Sequence, residues 1–473
     1  MPQTMKVSKG EVKVRMYRHG FGDCLLLGFH GSDNHPRYML IDCGALETGQ
    51  AQTDEVRKVA TDIAAATGGH LHVLAVTHEH MDHISGFWQA EDIFAGIKVD
   101  QVWFGWPENA EDGEAQELLK LKHAYTNALH GAAKYMAAQG MPIAERMAAL
   151  LGFAGFDRNL SLTKGTGEIM DILKGREGVG VEYCEPGTVR TIPGAEDIRI
   201  LVLGPPRESK LIRKSRPSQK HKETYLTDCD PYDFRMFRET LACATARAKG
   251  EPAGVPAAAA ERRDEEHPFD NLYRRPMDRT DPSPFIKDHY LAPSDLWRSI
   301  DDRFLEAAGD LAIRLDEHTN NTSLVLAFEI APTDKVLLFT GDAQVGNWLG
   351  WEDYAPAATN GKSPIEDILA RAVLYKVGHH GSHNATLREK GLELMTGSNL
   401  VAMIPVVQTT AEGRGWSMPF QPLLDRLVEK CRGRVLRLDD GKPSKPAEAR
   451  AEDWKTFDKR VTQTDLYLEI SVK

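Results

Sequence analysis

An α/β fold is predicted for this chain of 473 residues, on two observations. Short apolar or alternating runs recur along it and are interleaved with segments of helical period. Several of these runs finish in Asp or His followed by glycine or a turn, so rigid strands deliver polar side chains to one edge of a scaffold.

Taken in order, VKVRMY (residues 12–17) and CLLLGF (24–29) predict two strands joined by RHGFGD, where Gly20 and Gly22 demand a tight turn. A third strand, Tyr38 to Ile41, runs into Asp42-Cys43-Gly44. Residues 54–66 predict a helix with Asp54 as its cap and Gly68-Gly69 as its stop. The apolar run Leu71 to Val76 then leads into THEHMDH, Thr77 to His83. A strand is expected at Val99 to Trp106, two or three helices within 111–152, and a strand at Ile198 to Leu203 that stops at Gly204-Pro205-Pro206.

Residues 207–315 read as an insertion. Its first part concentrates Arg207, Lys210, Arg213, Lys214, Arg216, Lys220 and Lys222, either a solvated loop or a contact for a phosphate chain. Its later part is Pro/Gly/Ala-rich and linker-like. Strands resume at Leu324 to Ile330 and Val336 to Thr340, the second followed by Gly341-Asp342. Ser363-Pro364-Ile365-Glu366 is a capping box for a helix reaching about Ala372. A strand from Val373 to Val377 ends in GHHGSHNAT, which brings His379, His380 and Asn384. The strand Val401 to Val407, a helix from Gln421 to Cys431, and strands Val435 to Leu438 and Leu466 to Val472 complete the chain.

Composition narrows the function. The chain is 41% hydrophobic and 27% charged, with a formal net charge of -11, which argues against coating nucleic acid by bulk electrostatics but leaves a nuclease open. No apolar run spans a bilayer and the first residues lack a signal-peptide core, so a cytoplasmic protein without a membrane partner is expected. Six cysteines without CxxC spacing indicate neither a zinc ribbon nor a disulfide framework.

Chemistry concentrates in THEHMDH. Three imidazoles and a carboxylate at the end of a buried strand each need a partner, and a pair of divalent ions satisfies them together. His78 and His80 supply two ligands to one ion, Asp82 and His83 two to its neighbour. Such ions activate water, and Asp82 or Asp342 can receive its proton.

The set Asp42, THEHMDH, FTGD and GHHGS closely resembles the metallo-β-lactamase superfamily, over residues 11–104, 196–206 and 320–472. The GFGDC turn, LGPP, NNTSLVL and KVGHHGS look most like the metallo-hydrolase domain of the bacterial DNA-uptake channel protein and like phosphorylcholine esterases. This resemblance implies an αββα sandwich formed by one domain over 1–473, with a helical insertion at 107–195 and a basic, linker-like one at 207–315. It implies two zinc or manganese ions held by His78, His80, Asp82 and His83, bridged by Asp342, with one of His379 and His380 completing the second position. The other histidine, with Asp82 and an orienting Asp42, would serve catalysis; His318 is the candidate for a ligand that is shifted or missing here. The implied activity is hydrolysis of a phosphodiester, in nucleic acid or a nucleotide-like ester, with Arg213, Lys214, Arg216 and Asn384 as candidate substrate contacts. Two alternatives stand beside it: hydrolysis of a carboxylic ester, lactone, thioester or β-lactam, and a partner-regulated effector of a bacterial defence system that binds protein through the insertions.

Overall fold

The computed structural model describes residues 4–47, 49–138, 165–215, 217–218, 223–225, 315–331, 333–354 and 363–473. The chain divides into two compact units: Met1–Lys120 with Phe153–Cys229 and Asp316–Lys473, and Leu121–Gly152 with Asp230–Leu315. Within the second unit the described residues are 315 and those of the helix Gly113–Ala138 from residue 121 onward. The expected helices beyond 138, Arg216 and residues 219–222 of the basic run, and the linker-like segment lie outside the described residues.

The first unit is α/β, built on two mixed sheets. One holds β1 (Val12–Tyr17), β2 (Cys24–His30), β3 (Pro36–Cys43), β4 (His70–Ala75), β5 (Lys98–Gly105) and β6 (Gly180–Cys184), with β14 (Val461–Gln463) and β15 (Tyr467–Val472), in the order β14-β15-β1-β2-β3-β4-β5-β6. The other holds β7 (Val189–Arg190), β8 (Ile198–Gly204), β9 (Val325–Ile330), β10 (Lys335–Phe339), β11 (Ala372–Lys376), β12 (Val401–Ile404) and β13 (Val435–Arg437), in the order β13-β12-β11-β10-β9-β8-β7. The pairs β3/β4 and β10/β11 are parallel, so their carboxyl ends open to the same side of each sheet.

The period-two pattern explains the layering. Along β2, Leu25, Leu27 and Phe29 enter a core shared with Leu326, Phe328 and Ile330 of β9, while Leu26 points to the opposite face. That outer face packs against the helices Gln50–Thr67 and Met81–Gln89. The outer face of the second sheet packs against Val345–Tyr354, Pro364–Ala370 and Gln421–Lys430. The helix Gln50–Thr67 buries Val56, Val59, Ala60 and Ile63 at helical spacing, with about 1.5–3 kcal/mol for each fully buried Val or Ile.

Local signals behave unevenly. Ser363 Oγ accepts from the Glu366 amide at 3.2 Å, as its capping box requires. Asp54 does not cap: the helix begins four residues earlier, after Gly49, and Asp54 Oδ1 accepts from Gln50 Nε2 at 2.8 Å. No helix among the described residues is long and apolar enough to cross a membrane.

Candidate metal centre

Two turns build the platform. Asp42, at the carboxyl end of β3, has a φ of 55°, and Gly22, ahead of β2, a φ of 149°. A Cβ on Gly22 would stand 2.2 Å from the Gly44 carbonyl oxygen, and one on Gly44 would stand 2.4 Å from the His83 nitrogen. Only glycine lets these two turns close on the backbone of the HMDH stretch. The Asp23 amide donates to the Asp82 carbonyl at 2.9 Å, and Gly44 donates to the Asp23 carbonyl at 3.0 Å. Thr77 donates to both Asp42 oxygens, from its amide at 2.8 Å and its hydroxyl at 2.6 Å.

Asp23, His83, Asp342 and His380 are buried with ligand-type atoms within 4.8 Å of one another, and could hold a metal ion. Which face of each imidazole is available follows from its second nitrogen. His83 Nδ1 lies 2.8 Å from Asp42 Oδ2, so it donates there and Nε2 is the nitrogen turned into the cluster, 3.2 Å from Asp342 Oδ2. His380 Nδ1 donates to the Pro405 carbonyl at 2.7 Å, which leaves Nε2 2.8 Å from Asp82 Oδ2 and 3.6 Å from Asp342 Oδ2. Asp82 therefore shares the Nε2 side with His83, His380 and Asp342. Asp23 lies on the Nδ1 side, 3.9 Å from His83 and 3.8 Å from His380, and supports the cluster from behind. There it pairs with Lys376, whose ammonium also donates to the Gly341 carbonyl at 2.8 Å and lies 3.5 Å from Asp342 Oδ1.

His78 and His80 face one another beside this group, with His78 Nε2 3.1 Å from His80 Nδ1. The other side of His80, Nε2, lies 3.5 Å from Asp316 Oδ1. Asp316 Oδ2 accepts from Asn320 Nδ2 at 3.1 Å, and that amide lies 3.4 Å from His379 Nε2. Gln344 Nε2 lies 3.2 Å from His379 Nδ1. Of the adjacent histidines, then, His380 faces the carboxylates and His379 faces a rim of amides.

The chemistry of the donor set fits a cation. Asp23, Asp42, Asp82 and Asp342 are each no more than 1% exposed, and Lys376 is the buried ammonium among them. Asp82 Oδ1, Asp23 Oδ1 and His83 Nε2 are buried with no hydrogen-bond partner among the described residues, an arrangement costly without an ion. Burial opposes a proton on His83, yet Asp342, Asp23, Asp82 and Asp42 raise its pKa well above the usual histidine value. Burial also works against ionised Asp82, but His83 and His380 hold it down to about 2. His78 is pushed far below its usual value by burial and by His83 and His80, while burial lowers His80 and His379 to about 4; neutral imidazole is the metal-binding form. Burial, with Asp82, Glu317 and Asp342 nearby, raises Asp316 well above the usual carboxylate value.

Other expected site residues are placed differently. His318 is only partly buried and belongs to no group of three ligand-type side chains among the described residues. Asn384 is buried, its amide donating to the Ser215 carbonyl at 3.1 Å and its oxygen accepting from Ser382 at 3.2 Å, so it secures a loop. Arg213 is exposed, Lys214 pairs with Glu223 at 3.2 Å, and Arg216 lies outside the described residues. Arg207 is engaged by Glu185 and Asp112 and sits over the Trp106 ring. Asp23, Asn320 and Lys376 lie inside the GFGDC, NNTSLVL and KVGHHGS motifs but were given no role of their own, and Asp316 and Gln344 lie in none of them. Lys376 carried a further signal, an ammonium in the otherwise apolar run AVLYKV.

Comparison with family models, with curated proteins and with solved structures returns no match.

Proposed function

We propose that the chain is a metal-dependent hydrolase of the metallo-β-lactamase kind, its two sheets forming that superfamily's αββα sandwich and its substrate a phosphodiester. The observation that carries this reading is the meeting of Asp82 and His83, from the first turn of the helix Met81–Gln89 that follows β4, with Asp342 and His380, from the turns after β10 and β11. Ligand-type atoms of both sheets converge there, and among them Asp82 Oδ1 and His83 Nε2 have no hydrogen-bond partner among the described residues.

Two divalent ions, zinc or manganese, would supply a hydroxide nucleophile near neutral pH and positive charge toward the developing oxyanion. His78 and His80 would hold one, and Asp82, His83 and His380 the other, with Asp342 between them. Asp42 fixes the His83 tautomer and Pro405 that of His380, so both imidazoles present Nε2 without rearrangement. Asp82, held ionised, is a proton acceptor at Oδ1. His379 stands outside the carboxylate group, neutral and steadied by Gln344 and Asn320, where it can hold a proton close to a leaving oxygen.

The phosphodiester preference rests on the likeness of GHHGS and its neighbours to phosphodiester-cleaving relatives; Arg207 and Lys214, already paired, add little to it. The test is metal content by mass spectrometry, joined to turnover with manganese or zinc on bis-p-nitrophenyl phosphate, single- and double-stranded DNA, RNA and a chromogenic lactone. Cleavage of at least one phosphodiester, abolished by Asp82→Ala, is expected. Lactone turnover without phosphodiester cleavage would move the substrate to the acyl class, and absence of bound metal would end the hydrolase reading.

A further inference from the structure

On the far side of His80 from His78 the facing side chain is a partly buried carboxylate, Asp316. The His80 Nδ1 is 3.1 Å from His78 Nε2 and its Nε2 is 3.5 Å from Asp316 Oδ1, with the Asn320 side chain also in hydrogen-bonding contact with the ring. A neutral imidazole has one bare nitrogen and one that carries a proton. For His78 and His80 to share a cation, His80 must present Nδ1 bare, and its proton must then sit on Nε2, the nitrogen that faces Asp316.

Asp316 is built to favour that tautomer. It lies in the helical turn of residues 315–321, its side chain 22% exposed but its Oδ1 buried and without a hydrogen-bond partner among the described residues. Its second oxygen is already committed to the Asn320 amide at 3.1 Å, which fixes the carboxyl plane. In its ionised form, which burial and the neighbouring Asp82 oppose but cations at this centre favour, Asp316 can only accept, and its bare Oδ1, at about hydrogen-bonding distance from the ring nitrogen, gains most by receiving that nitrogen's proton. The direct alternative, Asp316 as a ligand alongside His80 Nδ1, would need the carboxylate on the opposite edge of the ring from where it lies.

We propose that Asp316 is the positioning residue of the first metal position, holding His80 with its proton on Nε2 so that Nδ1 faces His78. Asn320 extends this arrangement to His379 at 3.4 Å, so the same carboxylate links the metal position to the amide rim. The proposal rests on the two-ion reading given above.

The experiment titrates zinc into the full chain and into Asp316→Ala, Asp316→Asn and His318→Ala, with chelator competition for each ion's affinity. In the same samples nitrogen-15 NMR reads the His80 tautomer. Wild type is expected to take two ions with His80 protonated on Nε2. Asp316→Ala should weaken one ion by about 10- to 100-fold, as removal of an outer partner of a metal-binding histidine does, and should mix the tautomers. Asp316→Asn, whose amide oxygen still accepts from Nε2, should restore the tautomer and most of the affinity. His318→Ala should match wild type. Two ions bound unchanged to Asp316→Ala, an unaltered tautomer there, failure of Asp316→Asn to restore it, or the loss appearing in His318→Ala, overturns the proposal alone. Fewer than two ions on wild type overturns the two-ion reading and the proposal with it.

Discussion

Lys376→Met isolates what the buried ammonium does. Lys376 and Asp23 are each about 1% exposed, so removing the ammonium leaves the Asp23 carboxylate uncompensated and the Gly341 carbonyl without its donor. Breaking a buried pair from one side costs about 3–5 kcal/mol. Asp342 adds to this: at 3.5 Å its attraction to the ammonium is worth about 5 kcal/mol at an effective dielectric constant near 20, of which desolvation of Lys376 cancels a large part. Burial alone would lower the Lys376 pKa, yet Asp23 and Asp342 leave it raised, so the ammonium is charged in the folded protein. We expect Lys376→Met to cost about 3–5 kcal/mol in urea unfolding of chelator-treated protein, and about 6–10 °C in Tm at roughly 2 °C per kcal/mol. Asp23→Asn combined with Lys376→Met removes both charges and should recover more than half of the loss, giving a coupling of at least about 2 kcal/mol. A single-variant cost below about 1 kcal/mol, or strictly additive costs, would refute the assignment of Lys376 as the counter-charge of this cluster.

Three further outcomes are expected. Asp42→Ala removes the acceptor that orients His83 and should weaken the ion at His83 by about 10- to 100-fold in chelator competition, with the ion at His78 and His80 retained. Gly44→Ala places a Cβ 2.4 Å from the His83 nitrogen, a backbone atom that cannot swing aside, and should cost at least about 2–3 kcal/mol by urea unfolding; a loss under 1 kcal/mol would mean the turn relaxes freely. His72, outside the centre, is lowered from 6.5 to about 4, by burial first and by His70 next. The unfolded chain therefore takes up its proton near pH 6.5 while the folded one resists until about 4, so this contribution to stability is full above 6.5 and is lost as pH falls toward 4. His72→Gln keeps an acceptor for the Tyr38 amide, which now donates to Nδ1 at 3.1 Å, and should lose less stability than wild type between pH 7 and 4.5; parallel slopes would contradict this.

What the sequence discloses follows the range of the forces involved. Strand pattern is local, so VKVRMY matches β1 residue for residue and IRILVL falls short of β8 by one. The short β6, β7 and β14 carry too little alternation to be seen. The residues after the strands were legible because turn chemistry advertises them: Asp42, THEHMDH, Gly341-Asp342 and the His379/His380 pair all stand at carboxyl ends of parallel strands. The choice between His379 and His380 was not legible, because it depends on the φ values of 45° and 52° that the two adopt and on the remote Pro405 carbonyl. Asp316 was invisible for a related reason: its meaning lies in a contact with His80, over two hundred residues away, while His318 two positions on drew attention by residue type alone.

The split origin of the centre also bears on assembly. His380 Nε2 and Asp82 Oδ2 are 2.8 Å apart in space and 298 positions apart in the chain, one carried by each sheet. Cations held between them would act as rivets through the apolar seam, strong only when both plates are already aligned. A chain with only β1 to β6 made could offer the HMDH side chains alone, a weak and unselective trap. Tight uptake would wait for β10 and β11 of the second sheet, so the ion would report docking and then resist its reversal, and chelation should speed the parting of the sheets more than the fraying of either one.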